Sequence, residues 1–547
     1  MGNRILIAAL TFLAPLAAQD RIVPSDSGFD AFETTIPMRD GKSLAADVYR
    51  PRSSGRYPVV LIQTPYNKSL MRPWWAGVGQ YGKDSLFTDN RYAFVVTDRR
   101  GRYASRPALV DSPEHAYLGK DGFDTIAWIA RQEWSNGKVA TWGASALAQA
   151  QYETARENPP ALVCSVPIVM PLQLDYNTYF PGGVLWNEFA NMLGKLGWNV
   201  YGMLTSRPIR DESWAATRKT LVHAADIRVP MLFIGGWFDI YTDGVLSAFD
   251  QVRKQGRDSS RTGSRLVMGP WLHRTDQVRN GQLEFPNAAR FGMKRAQAFI
   301  GHWLRGDPPR ENEPPITYYQ MGAEEWRTTA VWPPAGSEPR SYYFREYHKL
   351  VPKPPGPKAA QLSFRYDPAD PAPTIGGHVL DPLIPSGPHD LRKKVESRQD
   401  VLTFSTPALA EDLPVSGRVK VNLFVSSDRT DTDFTAILSD VYPDGRSMLV
   451  TEGIQRMRFR NGASKEELIK PGEVYPVTIR LTNTALTFRK GHHVRVLVSS
   501  SSYPKYAPNR NDGGPMYVKD AAGVVANNTV YFDAARPSAL LLPVISR

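Results

Sequence analysis

Between about residues 40 and 330 of the chain, short apolar runs alternate with longer segments whose apolar residues recur at helical spacing. "PVVLIQTPY" (58–66) and "YAFVVTD" (92–98) have too few polar positions for a half-exposed strand and predict buried ones. "FDTIAWIARQ" (123–132) predicts an amphipathic helix introduced by Asp121. "VATW" (139–142) predicts a further buried strand. The Ala- and Gln-rich run 146–158 predicts a helix that stops at Pro159-Pro160. "VPMLFIGGWFD" (229–239) and "SRLVMGPWLH" (264–273) predict two more strands running into loops. Such alternation marks a parallel α/β sheet.

The pattern breaks between Val169 and Ile227, where aromatic and Gly-rich pieces such as "YFPGGVLWNEFANMLGKLGW" (179–198) read as a helical insertion over the sheet. After Trp332 the character changes. "WPPAGSEPR" (332–340) and "VPKPPGPKAA" (351–360) read as linkers. "RVKVNLFVSS" (418–427), "MLVTEGIQRMRFR" (448–460), "YPVTIRLTN" (475–483) and "HHVRVLVSSSS" (492–502) predict an all-β sandwich or jelly roll. The expected division is an α/β core over 25–158 and 229–335, a helical cap over 159–228 and a β domain over 345–547.

At 547 residues the chain exceeds what one core can organise, and 42% hydrophobic residues supply ample core material. Residues 1–19, "MGNRILIAALTFLAPLAAQ", have a basic start, an apolar middle and small residues at 17–18. They read as a cleaved export signal, with a periplasmic or extracellular destination and no membrane span afterwards. Cys164 is the only cysteine, so no internal disulfide is expected. C-x-x-C zinc sites are thereby excluded, and H-E-x-x-H does not occur. The net charge of +12 is scattered, its longest cluster being Arg392, Lys393 and Lys394, so nucleic acid is not an expected partner.

Ser145 stands where the strand "VATW" meets the helix from Ala146. Other G-x-S triplets (41–43, 445–447 and 462–464) lack those flanks. A strand, a tight turn and a helix make a nucleophile elbow, although Leu147 stands where G-x-S-x-G has its second glycine. A serine nucleophile needs a histidine, and the histidine a carboxylate. Of nine histidines, His273 directly follows a strand. His302 falls in a helix-like run, His115 and His223 are weaker rivals, and the remaining five, His378 among them, lie in the linker or the β-rich half. Asp239 follows its strand directly, with Asp243 close behind, and Asp98 ends another. The order Ser145, Asp239, His273 is that of α/β-hydrolases.

These residues lie in stretches that resemble the CocE/NonD serine hydrolases, a group including cocaine esterase, α-amino-acid ester hydrolases, glutaryl acylases and Xaa-Pro dipeptidyl-peptidases. The carrying stretches are "QTPYNK" (63–68), "TDRRGRYAS" (97–105), "DGFDTIAWIARQEWSNGKVATWGAS" (121–145), "GGWFD" (235–239), "GPWLH" (269–273), "HWLRG" (302–306), "DVLTFSTPAL" (400–409) and "RKGHHVRVLVSSSSYP" (489–504). The resemblance implies an α/β-hydrolase core, a helical cap and a C-terminal jelly roll. It also implies a triad of Ser145, Asp239 and His273, and a Tyr66 hydroxyl in the oxyanion hole. The second oxyanion donor would be the backbone N–H of Ala146, where the family usually has Tyr; Ala148 replaces its usual Gly. Asp98, Arg99, Arg100 and Gly101 read as structural.

The expected activity is hydrolysis of a small-molecule ester or amide through an acyl-enzyme, without metal or organic cofactor. Trp186, Phe238 and Tyr241 either line the acyl pocket or simply pack. An Xaa-Pro dipeptidyl-peptidase would need an extra N-terminal domain, and only about 20 residues separate the signal from the first strand. An α-amino-acid ester hydrolase would carry acids just after the triad Asp, where Ile240, Tyr241 and Thr242 stand. A non-catalytic ligand-binding protein is the remaining alternative.

Overall fold

The computed structural model describes residues 27–76, 85–111, 115–308, 313–518 and 521–546; the stretch read as an export signal lies outside them. Among the described residues ten strands form the core sheet: β1 (Phe29–Pro37), β2 (Ser43–Pro51), β3 (Tyr57–Thr64), β4 (Ala93–Asp98), β5 (Ser135–Ala144), β6 (Leu162–Ile168), β7 (Leu232–Gly236), β8 (Arg265–Gly269), β9 (Ile316–Gln320) and β10 (Glu325–Thr329). Their order is β1-β2-β4-β3-β5-β6-β7-β8-β9-β10, parallel from β4 to β9 and antiparallel at both margins. β4 is buried along its whole length and β3 almost so, as continuous apolar runs require when both faces of a parallel sheet are covered.

Two helices frame the middle of the sheet, α1 (His115–Ala130) and α2 (Ala146–Arg156). Asp121 does not introduce α1, which begins six residues earlier; it sits inside the helix and pairs with Arg100 Nη2 at 2.6 Å. Its carboxylate is used by that buried ion pair and not by a cap. Further on come α3 (Thr242–Gln255) and α4 (Phe291–Arg305).

The cap begins later than expected. Residues 162–168, assigned to it from the sequence, are strand β6, paired with β5 through Ala140↔Cys164 and Ala144↔Ile168. Only after Ile168 does the chain leave the sheet, returning at Leu232, with helices Tyr176–Tyr179, Asn187–Lys195, Tyr201–Thr205 and Glu212–Thr220 between. Cys164 lies fully buried within β6, and burial pushes its thiol well above the ordinary value.

The jelly roll has eleven described strands, and it begins earlier than residue 345. Part of the stretch read as a linker is strand Ser337–Arg345, paired antiparallel with Ala539–Ile545. Among the described residues its other edge is paired only at Tyr343–Arg345, so Pro339 falls where a strand tolerates a missing N–H. The long strand Leu413–Ser427 is central, with Tyr475–Phe488 antiparallel on one side and Ala526–Tyr531 and Ala539–Ile545 on the other. The cap presses directly on this domain: a Cβ at Gly182 would stand 1.9 Å from the Ile454 carbonyl oxygen, and Leu185 N–H donates to the Tyr517 hydroxyl at 2.9 Å.

Candidate active site

The carboxyl ends of β5, β6, β7 and β8 are level, and backbone hydrogen bonds stitch the loops leaving them. Ser145 N–H donates to Ile168 O (2.9 Å), Val169 N–H to Ile234 O (2.7 Å), Trp237 N–H to Gly269 O (2.8 Å) and Phe238 N–H to Trp271 O (3.0 Å). Ser145, Asp239 and His273 all stand on these loops, at the crevice where open α/β sheets bind ligands.

Ser145 has φ +58° and ψ −125°, a conformation that non-glycine residues avoid. It turns β5 into α2 in a single residue. Gly143 just before it is indispensable in space, since a Cβ there would lie 2.5 Å from Leu147 Cβ. Gln151 ties helix to strands, donating to Gly143 O at 3.0 Å and accepting from Val166 N–H at 3.0 Å.

Asp239 is fully buried. One carboxylate oxygen accepts the Tyr241 N–H at 2.9 Å, and the other lies 2.6 Å from His273 Nδ1. A carboxylate only accepts, so Nδ1 carries the proton and Nε2 is left as the basic nitrogen of the neutral ring. Two rivals point elsewhere: His302 Nδ1 meets Asp307 O within and just after α4, and His223 is exposed near Gln173; the third, His115, has its side chain outside the described residues. His492 pairs with Asp440 at 2.8 Å, but in the jelly roll, so a His–carboxylate contact alone does not mark the site.

Tyr66 lies just past β3, its N–H donating to Thr64 Oγ1 at 3.0 Å and its ring meeting Trp198 edge-on at 6.1 Å. The Asp98–Gly101 stretch braces this loop. Asp98 accepts the Lys68 N–H at 2.7 Å, Arg99 N–H donates to Thr64 O at 3.0 Å, and the Arg99 guanidinium donates to the Ala146 carbonyl. One residue therefore bridges the loop of Tyr66 and the first turn of α2.

Tyr241 meets the His273 ring edge-on at 5.8 Å and Phe189 likewise at 5.8 Å. Burial holds its phenol well above the ordinary value, and the neighbouring Tyr179, Asp239 and Tyr66 push it the same way. Trp186 is one ring further from His273, 5.8 Å from Phe189, with its Nε1–H on Glu188 at 3.1 Å. Phe238 faces away, toward His378 at 6.4 Å. Trp198, and Arg102 stacked on it at 5.4 Å, are not singled out by the sequence; Trp198 sits in the irregular cap and Arg102 in the loop after β4, where no periodicity points inward.

A cleft of about 1480 Å³ opens between cap, α3 and jelly roll, lined by Trp186, Tyr241, Asp243, Arg418 and Lys505 among others. Ser145, Asp239 and His273 are not in its wall; Tyr241 is the side chain that belongs to both. Asp243 is engaged there by Arg418 Nη2 (2.8 Å) and by the Asn483 side chain (2.7 Å). Among the described residues no cluster of three or more metal-ligating side chains occurs.

This sheet, cap and jelly roll define an enzyme class, the α/β-hydrolase-fold serine hydrolases. Residues 40–208 and 196–275 match the X-Pro dipeptidyl-peptidase (S15 family) model, and residues 310–541 match the X-Pro dipeptidyl-peptidase C-terminal non-catalytic domain. Cocaine esterase of Rhodococcus sp. (strain MB1 Bresler) is 31% identical over 94% of this chain and 99% of its own. A solved aminopeptidase from a marine sediment Thaumarchaeota archaeon is 26% identical with a TM-score of 0.82, covering 98% and 100% of the two chains. An α-amino acid ester hydrolase is 25% identical with a TM-score of 0.83, covering 97% and 99%. The chain belongs to the CocE/NonD family of S15 serine hydrolases.

Proposed function

We propose that the protein is an exported hydrolase of carboxylic esters or amides in which Ser145, Asp239 and His273 form the triad. The observation that carries this reading is the 2.6 Å contact between Asp239 and His273 Nδ1, one loop away from a serine held at φ +58°. His273 Nε2 takes the Ser145 proton as Oγ attacks the acyl carbon, then returns it to the leaving oxygen or nitrogen. Water, activated by the same nitrogen, attacks the acyl-enzyme and releases the acid. The Tyr66 hydroxyl and the Ala146 N–H stabilise the oxyanion, with Arg99 bonded to the Thr64 carbonyl on one side and the Ala146 carbonyl on the other. No step calls for a metal or organic cofactor.

The test is Ser145→Ala assayed on a p-nitrophenyl ester and with a fluorophosphonate label. The expected outcome is a folded protein that takes no label and whose kcat falls by on the order of 10⁴- to 10⁶-fold. Near-normal turnover would remove Ser145 from the role.

A further inference from the structure

His378 belongs to the jelly roll, in the irregular stretch between strands Gln361–Tyr366 and Leu402–Ser405, and is 1% exposed. Gly376 and Gly377 before it have φ of +76° and +79°. A Cβ at Gly377 would stand 1.9 Å from Glu452 Oε1, so the backbone lies directly on that carboxylate. The same oxygen accepts the His378 N–H at 3.1 Å and the Lys505 ammonium at 2.5 Å. From the cap, Glu188 accepts the N–H groups of Leu380 (3.0 Å) and Asp381 (2.5 Å). With its backbone held from two sides, the ring reaches into the core: Nε2 donates to the Trp237 carbonyl at 3.0 Å. A carbonyl accepts only, so Nε2 bears the proton.

Trp237 is two residues before Asp239. Its N–H is held by Gly269 O and its indole N–H by Tyr319 O at 2.8 Å, both from the core sheet. We propose that His378 is a positioning residue for hydrolysis, its Nε2–H fixing the 237–239 turn so that Asp239 stays in contact with His273 Nδ1. Without that donor the buried Trp237 carbonyl loses its partner from the jelly roll and the turn shifts to find another. A shift of a fraction of an ångström suffices to weaken a contact of 2.6 Å on which the tautomer of His273 depends. The domain described in the family as non-catalytic thereby supports the chemistry directly.

The proposal rests on the triad reading, and the experiment separates the two. His378→Gln places an amide N–H close to the position of Nε2, whereas His378→Asn reaches only as far as Nδ1. The expected result is a kcat lowered about tenfold in His378→Asn, with KM unchanged, and restored in His378→Gln. The acidic limb of the kcat/KM profile moves to lower pH in the Asn variant alone, because a less well-placed Asp239 stabilises the His273 imidazolium less. The proposal is overturned if His378→Asn keeps kcat and the limb while only Tm falls, or if folded His378→Gln loses as much kcat as the Asn variant. Should the Asn variant not fold, the Gln variant decides: normal kcat and limb support the role, and a tenfold loss ends it. Asp239→Asn run alongside tells the failures apart. Unchanged kcat there discards the triad itself; a large loss there beside an unaffected His378→Asn discards only the positioning role.

Discussion

A serine at φ +58° carries a Cβ into territory that glycine occupies freely, at a cost of order 1–3 kcal/mol. The surroundings offset that cost through the Ser145 N–H to Ile168 O bond and the Gln151 ties between α2 and the strands. Beside it, Tyr66 gives a sharper test. A hydroxyl aimed at a developing oxyanion matters more in the transition state than in the ground state, so Tyr66→Phe is expected to lower kcat by roughly 10²-fold with little change in KM. Unchanged kcat, with chemistry shown to be rate-limiting, would discard the role. Acidic side chains near the site speak to substrate choice. Asp243 is already engaged by Arg418 and Asn483, and Glu452 by Lys505, so a substrate ammonium finds no spare carboxylate among them. The expected preference is for acyl groups without a free α-amine. Comparing phenylacetyl with phenylglycyl methyl esters checks it, and a phenylglycyl kcat/KM about ten times that of the phenylacetyl ester would refute it.

Among the elements, α2 matters most, because it carries Ser145 at its N-terminus and is set by its contact with α1. A Cβ at Gly122 would stand 1.9 Å from Thr154 Oγ1, and one at Gly119 2.6 Å from the Glu153 carbonyl oxygen. Gly122→Ala is therefore expected to destabilise the protein by roughly 1–3 kcal/mol, read as a lower urea midpoint at unchanged m-value. A wild-type midpoint would mean that the two helices are not held so closely. How legible each element is from the sequence follows from the same local physics. β3, β4, β7 and β8 announce themselves because uninterrupted apolar runs end in turn-forming loops, and those loops hold Tyr66, Asp239 and His273. β6 is hidden because Pro159-Pro160 precede it and Pro167 interrupts its run, and a proline within a run argues against a buried strand. Strand Ser337–Arg345 is hidden by prolines that normally mark linkers. His378 cannot be read locally at all, since its partners Trp237 and Glu452 lie 141 and 74 residues away.

At the scale of the whole molecule, the three units share buried polar and ionic contacts that none completes alone. Gln320 at the end of β9 is fully buried and bonds Ser416 and Thr487 of the jelly roll, and Lys505 lies between Glu452 and the Trp186 ring of the cap. Separating the units would strand these groups, a cost that favours unfolding together. Calorimetry of the full chain is expected to show one transition with matching van't Hoff and calorimetric enthalpies. Two resolved transitions would show that the jelly roll folds independently of the core.

Cys164 supplies a way to watch that cooperativity without heat or denaturant. It is the single thiol of 547 residues and sits at the centre of the core sheet, beside Ala140 on β5. A thiol reagent in solution meets nothing to react with while β6 stays in place. Every labelling event therefore counts one opening of the sheet's middle, and the labelling rate divided by that of the unfolded chain gives the fraction of time spent open. A sulfur atom with no part in the reaction thus serves as a clock for the fold that holds the reaction together.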